Sequence, residues 1–153
     1  FTGLGAPHWD MYARGCLIGL TRGTRREHII RAAQESIAYQ VNDLLAARAR
    51  DTGVPLTTLS VDGGASRDSF LMQFQADISN CVIRRPVIRE TTALGACYLA
   101  GLATGVWKDR EELKQLWRCD TLYHPDMDET TRRTLRAGWD KAVGRSFGWC
   151  KPE

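Results

Sequence analysis

The sequence lacks the long apolar run and the strong charge excess that would mark a membrane protein or a nucleic-acid-binding protein. No apolar stretch approaches the ~20 residues that a membrane-spanning helix needs. A formal net charge of +3 is small for 153 residues. The arginine pairs are scattered along the chain and form no single basic stripe: Arg25-Arg26, Arg84-Arg85 and Arg132-Arg133. We therefore predict no membrane span and no nucleic-acid partner.

Cysteine is present, but in no pattern that binds a metal or cross-links a small domain. The five cysteines are an odd number at irregular spacing, and no two of them form a CxxC pair. This argues against a disulfide framework and against a zinc knuckle. We predict a reducing, cytoplasmic compartment in which most of the thiols pack as small apolar groups. They are Cys16, Cys81, Cys97, Cys119 and Cys150.

The beginning of the chain lacks both an initiator methionine and a signal peptide. It opens on Phe1-Thr2-Gly3-Leu4-Gly5, with no basic stretch followed by an apolar one. This opening is typical of the middle of a larger protein. The composition is otherwise that of a globular domain, with 43% hydrophobic and 25% charged residues.

The first third of the sequence predicts a loop, a strand and a long helix. Residues 1–14 are rich in glycine, proline and aromatic residues and predict an ordered loop, and residues 16–20 predict a short buried strand. Thr24 and Glu27 have the spacing of a capping box at the start of a helix. Apolar residues then recur at intervals of three and four, and we expect the helix to end near Gly53.

The rest of the chain alternates between predicted strands and helices. These are a strand at 56–61, a helix from about 66, a strand at 81–84, a helix at 91–105, a short helix capped by Asp109, and a last helix at about 128–147. Two strands joined by a helix imply a parallel pair with a right-handed crossover, and therefore an α/β fold. A sheet of so few strands is too small to pack against this many helices. We therefore expect further strands upstream of this chain.

The most informative local motif is a strand followed by two glycines and a helix, at Val61-Asp62-Gly63-Gly64-Ala65-Ser66. Such a turn presents free backbone N–H groups at the positive end of a helix, where they attract phosphate oxygens. It is not a Walker motif, since no Lys-Ser/Thr follows, and it is not GxGxxG. On local grounds an ordinary tight turn is an open alternative.

A set of segments in fixed order spans the chain and resembles one known family. They are Gly3-Leu4-Gly5-Ala6-Pro7-His8-Trp9-Asp10, Tyr12-Ala13-Arg14-Gly15, Gly19-Leu20-Thr21, His28-Ile29-Ile30-Arg31-Ala32, Glu35-Ser36-Ile37-Ala38-Tyr39-Gln40, Val61-Asp62-Gly63-Gly64-Ala65, Phe70-Leu71-Met72-Gln73-Phe74-Gln75-Ala76-Asp77, Glu90-Thr91-Thr92-Ala93-Leu94-Gly95-Ala96 and Ala137-Gly138-Trp139. Their order and spacing resemble the glycerol kinases of the FGGY carbohydrate kinase family. The first two segments resemble the glycerol branch more than the xylulose or gluconate branches.

The resemblance implies a fold, a ligand and a set of binding residues. It implies the actin-like ATPase (ribonuclease H-like) fold, with residues 1–153 as a C-terminal nucleotide-binding domain that lacks its first strands. It also implies that Gly63, Gly64 and Ala65 lie against the phosphates of ATP or ADP. Asp68 takes a position that faces the adenine and is usually Asn in the family. A carboxylate cannot donate hydrogen bonds as an amide does, so we expect this contact to differ in kind.

By the same resemblance, the residues that carry out the chemistry lie upstream of this chain. These are the catalytic carboxylate, the residues that hold glycerol and most of the Mg²⁺ site. We therefore assign no catalytic residue and no metal ligand here. The complete enzyme is expected to be a cytoplasmic homo-oligomer that converts glycerol and ATP to sn-glycerol 3-phosphate and ADP. The chain alone is expected to be inactive, since phosphoryl transfer depends on positioning both substrates.

Two alternative hypotheses assign the chain to other functional classes. A non-catalytic α/β module would self-associate through an exposed sheet edge and an apolar face left by missing strands. A Rossmann-type dinucleotide module would need its glycine turn after the first strand and an acidic residue about 20 positions later. Neither of these two requirements fits the sequence well.

Overall fold

The computed structural model describes residues 2–152, which form two separate sheets and five α-helices. In chain order the elements are β1 (Thr2–Leu4), β2 (Asp10–Arg14), α1 (Arg26–Thr52), β3 (Thr58–Ser60), a 3₁₀ helix (Gly64–Arg67), α2 (Ser69–Ser79), β4 (Val82–Pro86), α3 (Thr91–Thr104), α4 (Arg110–Leu116), β5 (Cys119–Tyr123) and α5 (Glu129–Val143). The larger sheet has the order β3-β4-β5.

The predicted parallel pair is confirmed. Strands β3 and β4 run parallel, with Leu59 opposite Ile83, and α2 makes the crossover between them. The third strand, β5, was not predicted from the sequence. It pairs antiparallel with β4 and places Thr121 opposite Arg85. The sheet is therefore mixed, with an antiparallel strand at one edge.

The strand predicted over residues 16–20 is wrong. A strand needs a hydrogen-bonding neighbour, and within residues 2–152 no strand pairs with this segment. Its apolar side chains are exposed instead, with Leu17 at 59% and Ile18 at 54%. The preceding residues, predicted as a loop, hold the antiparallel pair β1 and β2.

Helix α1 begins one residue later than the predicted capping box requires. Arg25 is the residue before the helix, and its backbone N–H donates to Nδ1 of His28 over 3.1 Å. The Thr24 hydroxyl accepts from the N–H of Thr21 instead, so the expected pairing of Thr24 with Glu27 is wrong. The predicted end is confirmed, since Gly53 follows the helix with φ 67°, a left-handed conformation that glycine adopts without strain.

Helix α3 is composed mainly of small and apolar residues, yet its only buried residue is Gly101. A Cβ on Gly101 would collide with the ring of Trp107, so glycine lets that ring pack directly against the backbone of the helix. Leu99 is 71% exposed. Within the described part of the chain, no helix is long and apolar enough to cross a membrane.

The core lies between α1, α2 and the larger sheet. Tyr39 of α1 stacks on Trp139 of α5 with ring centroids 5.1 Å apart, and meets Phe74 of α2 edge-on at 5.4 Å. Burial raises the pKa of Tyr39 to about 12. Ile78 and Ile83 are fully buried beside this aromatic group. Aromatic pairs of this geometry add about 0.5–1.5 kcal/mol each beyond the area that they bury.

One carboxylate joins the N-terminal loop to helices α1 and α5. Asp43 Oδ2 accepts a hydrogen bond from Trp139 Nε1 at 2.7 Å and lies 3.4 Å from His8 Nε2. The Asp43 side chain is only 15% exposed. These contacts fix the indole that stacks on Tyr39.

Replacing Asp43 by alanine is expected to lower the free energy of unfolding by about 1–3 kcal/mol, because the partly buried indole N–H of Trp139 loses its acceptor. Denaturant unfolding followed by circular dichroism measures the change. Asp51→Ala, an exposed carboxylate on the same helix, is the control and should stay within about 0.5 kcal/mol of the wild type. Equal losses in both variants would contradict this role of Asp43.

Candidate functional site

The turn between β3 and α2 presents unpaired backbone donors to solvent. Gly63 has φ 74°, which an L side chain rarely adopts, and the 3₁₀ helix begins at Gly64. The N–H groups of Gly64 and Ala65 donate to no backbone acceptor within the described chain. A Cβ built on Gly64 would meet no atom within 4 Å, so the space over the turn is open. Exposed, unpaired N–H groups of consecutive residues in such a turn can bind anions.

The underside of the turn is fixed by hydrogen bonds to β4 and the residues after it. The Gly63 N–H donates to the carbonyl of Arg89 at 2.9 Å, and the Ser66 hydroxyl donates to the Gly63 carbonyl at 2.7 Å. Arg85 Nη1 donates to the Ser66 carbonyl at 3.3 Å. Ser66 is 1% exposed. The turn is therefore held by hydrogen bonds on the side that faces β4, and it is open to solvent on the side of the free N–H groups.

Asp68 lies next to the turn and forms the N-cap of α2. Its Oδ1 accepts from the N–H groups of Phe70 at 2.9 Å and Leu71 at 3.2 Å, and Gln34 Nε2 donates to its Oδ2. Helix α2 thus begins at Ser69, later than predicted, because the first residues after the glycines take the tighter 3₁₀ form. The carboxylate of Asp68 is already used by the protein, so a contact to adenine at this position stays a prediction.

Replacing Asp68 by alanine should reduce stability by about 0.5–2 kcal/mol, the usual effect of losing an N-cap side chain. Asp68→Asn keeps an oxygen acceptor and should lie within a few tenths of a kcal/mol of the wild type. Thermal and denaturant unfolding of the two variants measure the difference. If Asp68→Asn were as unstable as Asp68→Ala, the capping bonds would not be what makes Asp68 stabilising.

Two arginines and one carboxylate lie behind the turn. Arg85 Nε and Arg89 Nη2 both reach Oδ2 of Asp120, at 3.0 and 3.4 Å. The Thr121 hydroxyl, followed by the guanidinium of Arg85, holds the pKa of Asp120 below its ordinary value. In the described residues, Arg89 Nε is the one buried side-chain polar atom without a hydrogen-bond partner. The two arginines and Asp120 together carry one net positive charge behind the turn, which favours an anionic ligand there, while Asp62 and Asp68 flank the turn itself.

Sequence reasoning found the turn but missed this cluster. Asp120 and Thr121 lie on β5, a five-residue strand that was not predicted. The available signal was the run of threonine, leucine and tyrosine just before Pro125, which favours a strand. Residues 2–152 contain no group of three or more His, Cys, Asp or Glu side chains that could hold a metal ion.

Comparison with known proteins places this fold in a family. The profile of the C-terminal domain of the FGGY family of carbohydrate kinases matches residues 1–104. The chain belongs to this family. Its elements β1 to α3, including the glycine turn, fall within the matched range.

The relatives of this FGGY-family chain include many glycerol kinases. It is 60% identical over 151 residues to a glycerol kinase of Clostridium botulinum, covering 99% of this chain and 30% of that protein. It is 59% identical over 149 residues to a glycerol kinase of Brachyspira hyodysenteriae, covering 97% of this chain and again 30% of the relative. The resemblance inferred from the sequence segments is confirmed. The chain spans about a third of the length of these relatives.

Solved structures of FGGY kinases share the fold. Plasmodium falciparum glycerol kinase with ADP superposes with a TM-score of 0.84 at 39% identity, covering 95% of this chain and 29% of that one. Xylulose kinase of Lactobacillus acidophilus gives a TM-score of 0.68 at 27% identity, covering 95% and 28%. The predicted α/β class and actin-like ATPase fold are confirmed.

Proposed function

We propose that residues 1–153 form the nucleotide-side part of the C-terminal domain of an ATP-dependent glycerol kinase. The observation that carries the proposal is the glycine turn, where the N–H groups of Gly64 and Ala65 are free and the space above them is open. Further support comes from the glycerol kinases that match at about 60% identity and from the neighbour with ADP.

In this proposal the turn holds phosphate oxygens by backbone donation. The N–H groups of Gly64 and Ala65 donate to the phosphates, and Arg89 adds a positive charge behind the turn. Asp68 lies at the α2 end of the same turn, and we propose that it faces the base. When bound, ATP supplies the γ-phosphoryl group that glycerol receives.

The remaining parts of the reaction are proposed to lie upstream. They are the carboxylate that accepts the hydroxyl proton of glycerol, the residues that hold glycerol, and most of the Mg²⁺ site. The donors present here fit a phosphate and not a bare divalent cation, because backbone N–H groups and arginines repel a metal ion. This chain alone should therefore bind nucleotide without turning glycerol over. A cytoplasmic, homo-oligomeric enzyme is part of the same proposal.

The test of nucleotide binding is calorimetric titration of the purified chain with Mg-ADP. Circular dichroism first shows that the chain is folded. Saturable binding of one nucleotide per chain is the expected result. Mg-AMP serves as the matched control and should bind more weakly, since it offers one phosphate to the turn. A folded chain that bound neither nucleotide would contradict the proposal.

A chimera tests whether this chain can serve as the nucleotide-side part of a glycerol kinase. The segment of the Clostridium botulinum glycerol kinase that aligns with this chain, at 60% identity, is replaced by residues 1–153. The residues proposed to hold glycerol then come from the Clostridium enzyme, so the chimera reports on nucleotide use and not on the choice of substrate. It is expected to form ADP from ATP when glycerol is added. A folded chimera that formed no ADP with glycerol would contradict the proposal.

A second candidate function is a self-associating, non-catalytic module. The observations that favour it are the exposed apolar side chains of helix α3 and of residues 17–20, together with the outer edge of β3. Sedimentation velocity at increasing concentration separates the two candidates. Concentration-dependent dimers without nucleotide binding would favour this module, and a nucleotide-binding monomer would exclude it.

A further inference from the structure

We propose that Asp120 is a positioning residue that holds the glycine turn in its binding conformation through Arg85 and Arg89. The inference rests on the proposed nucleotide role of the turn. Asp120 lies on β5, outside the glycine turn, and acts on the turn only through the two arginines.

The connection from Asp120 to the turn consists of two short paths. In the first, Arg85 Nε donates to Asp120 Oδ2 at 3.0 Å while its Nη1 donates to the Ser66 carbonyl at 3.3 Å. The Ser66 hydroxyl then donates to the carbonyl of Gly63 at 2.7 Å. In the second, Arg89 Nη2 lies 3.4 Å from Asp120 Oδ2, and the Arg89 carbonyl accepts the Gly63 N–H at 2.9 Å.

The guanidinium of Arg85 suits this role because its donors are held in one rigid plane. Its Nη2 donates to the Thr121 hydroxyl at 2.9 Å, so three different partners fix its orientation. The ring of Tyr123 lies beneath it, 5.4 Å from the guanidinium carbon. The side chain is only 11% exposed. A charge this enclosed needs its carboxylate partner, so loss of Asp120 would free the guanidinium to move.

The turn depends on this support because its own bonds are few. The positive φ of Gly63 is held by one N–H bond to Arg89 and by the bonds from Ser66. If the arginines shift, the Gly63 and Ser66 amides lose their fixed orientation, and the free donors of Gly64 and Ala65 no longer converge on one anion. Preorganised donors bind more tightly than mobile ones.

Amide hydrogen exchange measured by NMR tests the proposal without any nucleotide. In Asp120→Ala, the amides of Gly63 and Ser66 should exchange roughly tenfold faster than in the wild type, as expected for local opening. Glu129→Ala is the matched control, because Glu129 also pairs with two arginines, Arg132 and Arg133, on helix α5. In this control the exchange of the turn amides should not change. Asp120→Glu should restore most of the protection.

Mg-ADP titration of the same variants supplies the second measurement. Asp120→Ala should weaken binding by about tenfold, and Glu129→Ala should leave it unchanged. Turn amides that exchange no faster in Asp120→Ala than in Glu129→Ala would overturn the proposal, whatever the chain does with nucleotide. If Asp120→Ala did not fold, Arg85→Lys would replace it, since one ammonium cannot hold Asp120, Thr121 and Ser66 together. Unchanged exchange at Gly63 and Ser66 in that variant would overturn the proposal equally.

Discussion

Mg-ADP should bind the Gly64→Val variant at least about a hundredfold more weakly than the wild-type chain, because a valine side chain would occupy the open space over the turn. It would keep phosphate oxygens away from the N–H groups of Gly64 and Ala65. Hydrogen bonds to a charged group contribute about 1.5–3 kcal/mol each, and two of them would be lost together. Calorimetric titration of both proteins at the same ionic strength measures the difference.

The control for this loss is Gly138→Val on helix α5. A Cβ on Gly138 also meets no atom within 4 Å, and neither glycine has a positive φ. Both variants should therefore remain folded, with unfolding midpoints close to the wild type, while only Gly64→Val loses affinity. Wild-type affinity in Gly64→Val would mean that phosphate does not approach this turn, and would remove the central support of the proposed function.

Replacing Ile78 by alanine should lower the free energy of unfolding by roughly 2–5 kcal/mol, the cost of a buried cavity plus lost transfer free energy. Ile78 has no exposed surface and belongs to the core between α1, α2 and the sheet. Since whole domains are stable by about 5–15 kcal/mol, this change removes a large share. Urea unfolding gives the value.

Ile18→Ala is the matched control for Ile78→Ala, because the same atoms are removed from a side chain that is 54% exposed. It should change the free energy of unfolding by less than about 0.5 kcal/mol. A large loss in Ile18→Ala would show that residues 16–20 pack in solution after all, against another part of this chain or against a second copy.

Much of the fold could be predicted because local patterns and topology agreed. The spacing of apolar residues predicted helix α1 up to Gly53, and the alternation of strand and helix predicted the parallel pair of β3 and β4. The face of α1 that this spacing implied is wrong, because Ile30, Ile37 and Leu44 are about half exposed and the buried residues are Ala38, Tyr39 and Asn42. Residues 16–20 show the limit of this reasoning. They have the composition of a strand, but pairing depends on a neighbour, and local sequence does not say which neighbour the chain provides.

One part of the candidate site could also be predicted from the sequence, and another part could not. The glycine turn could be found because two consecutive glycines, Gly63 and Gly64, after a strand indicate a tight turn by themselves. The Asp120 cluster could not, because its residues meet only through the antiparallel pairing of β5 with β4, which places Arg85 opposite Thr121. For Asp68, the resemblance drew attention to a ligand contact, whereas the capping role follows from its place before α2.

The distribution of the core along the chain bears on how this domain is made in the cell. Within the described residues, all members of the main buried cluster except Tyr123 lie between Ala38 and Ile83. We therefore expect the central part of the domain to begin packing once β4 has been synthesised. The strand that carries Asp120 and the helix that carries Trp139 lie later in the chain and are translated after β4. The glycine turn is thus synthesised before Asp120, the residue proposed to hold it in its binding conformation.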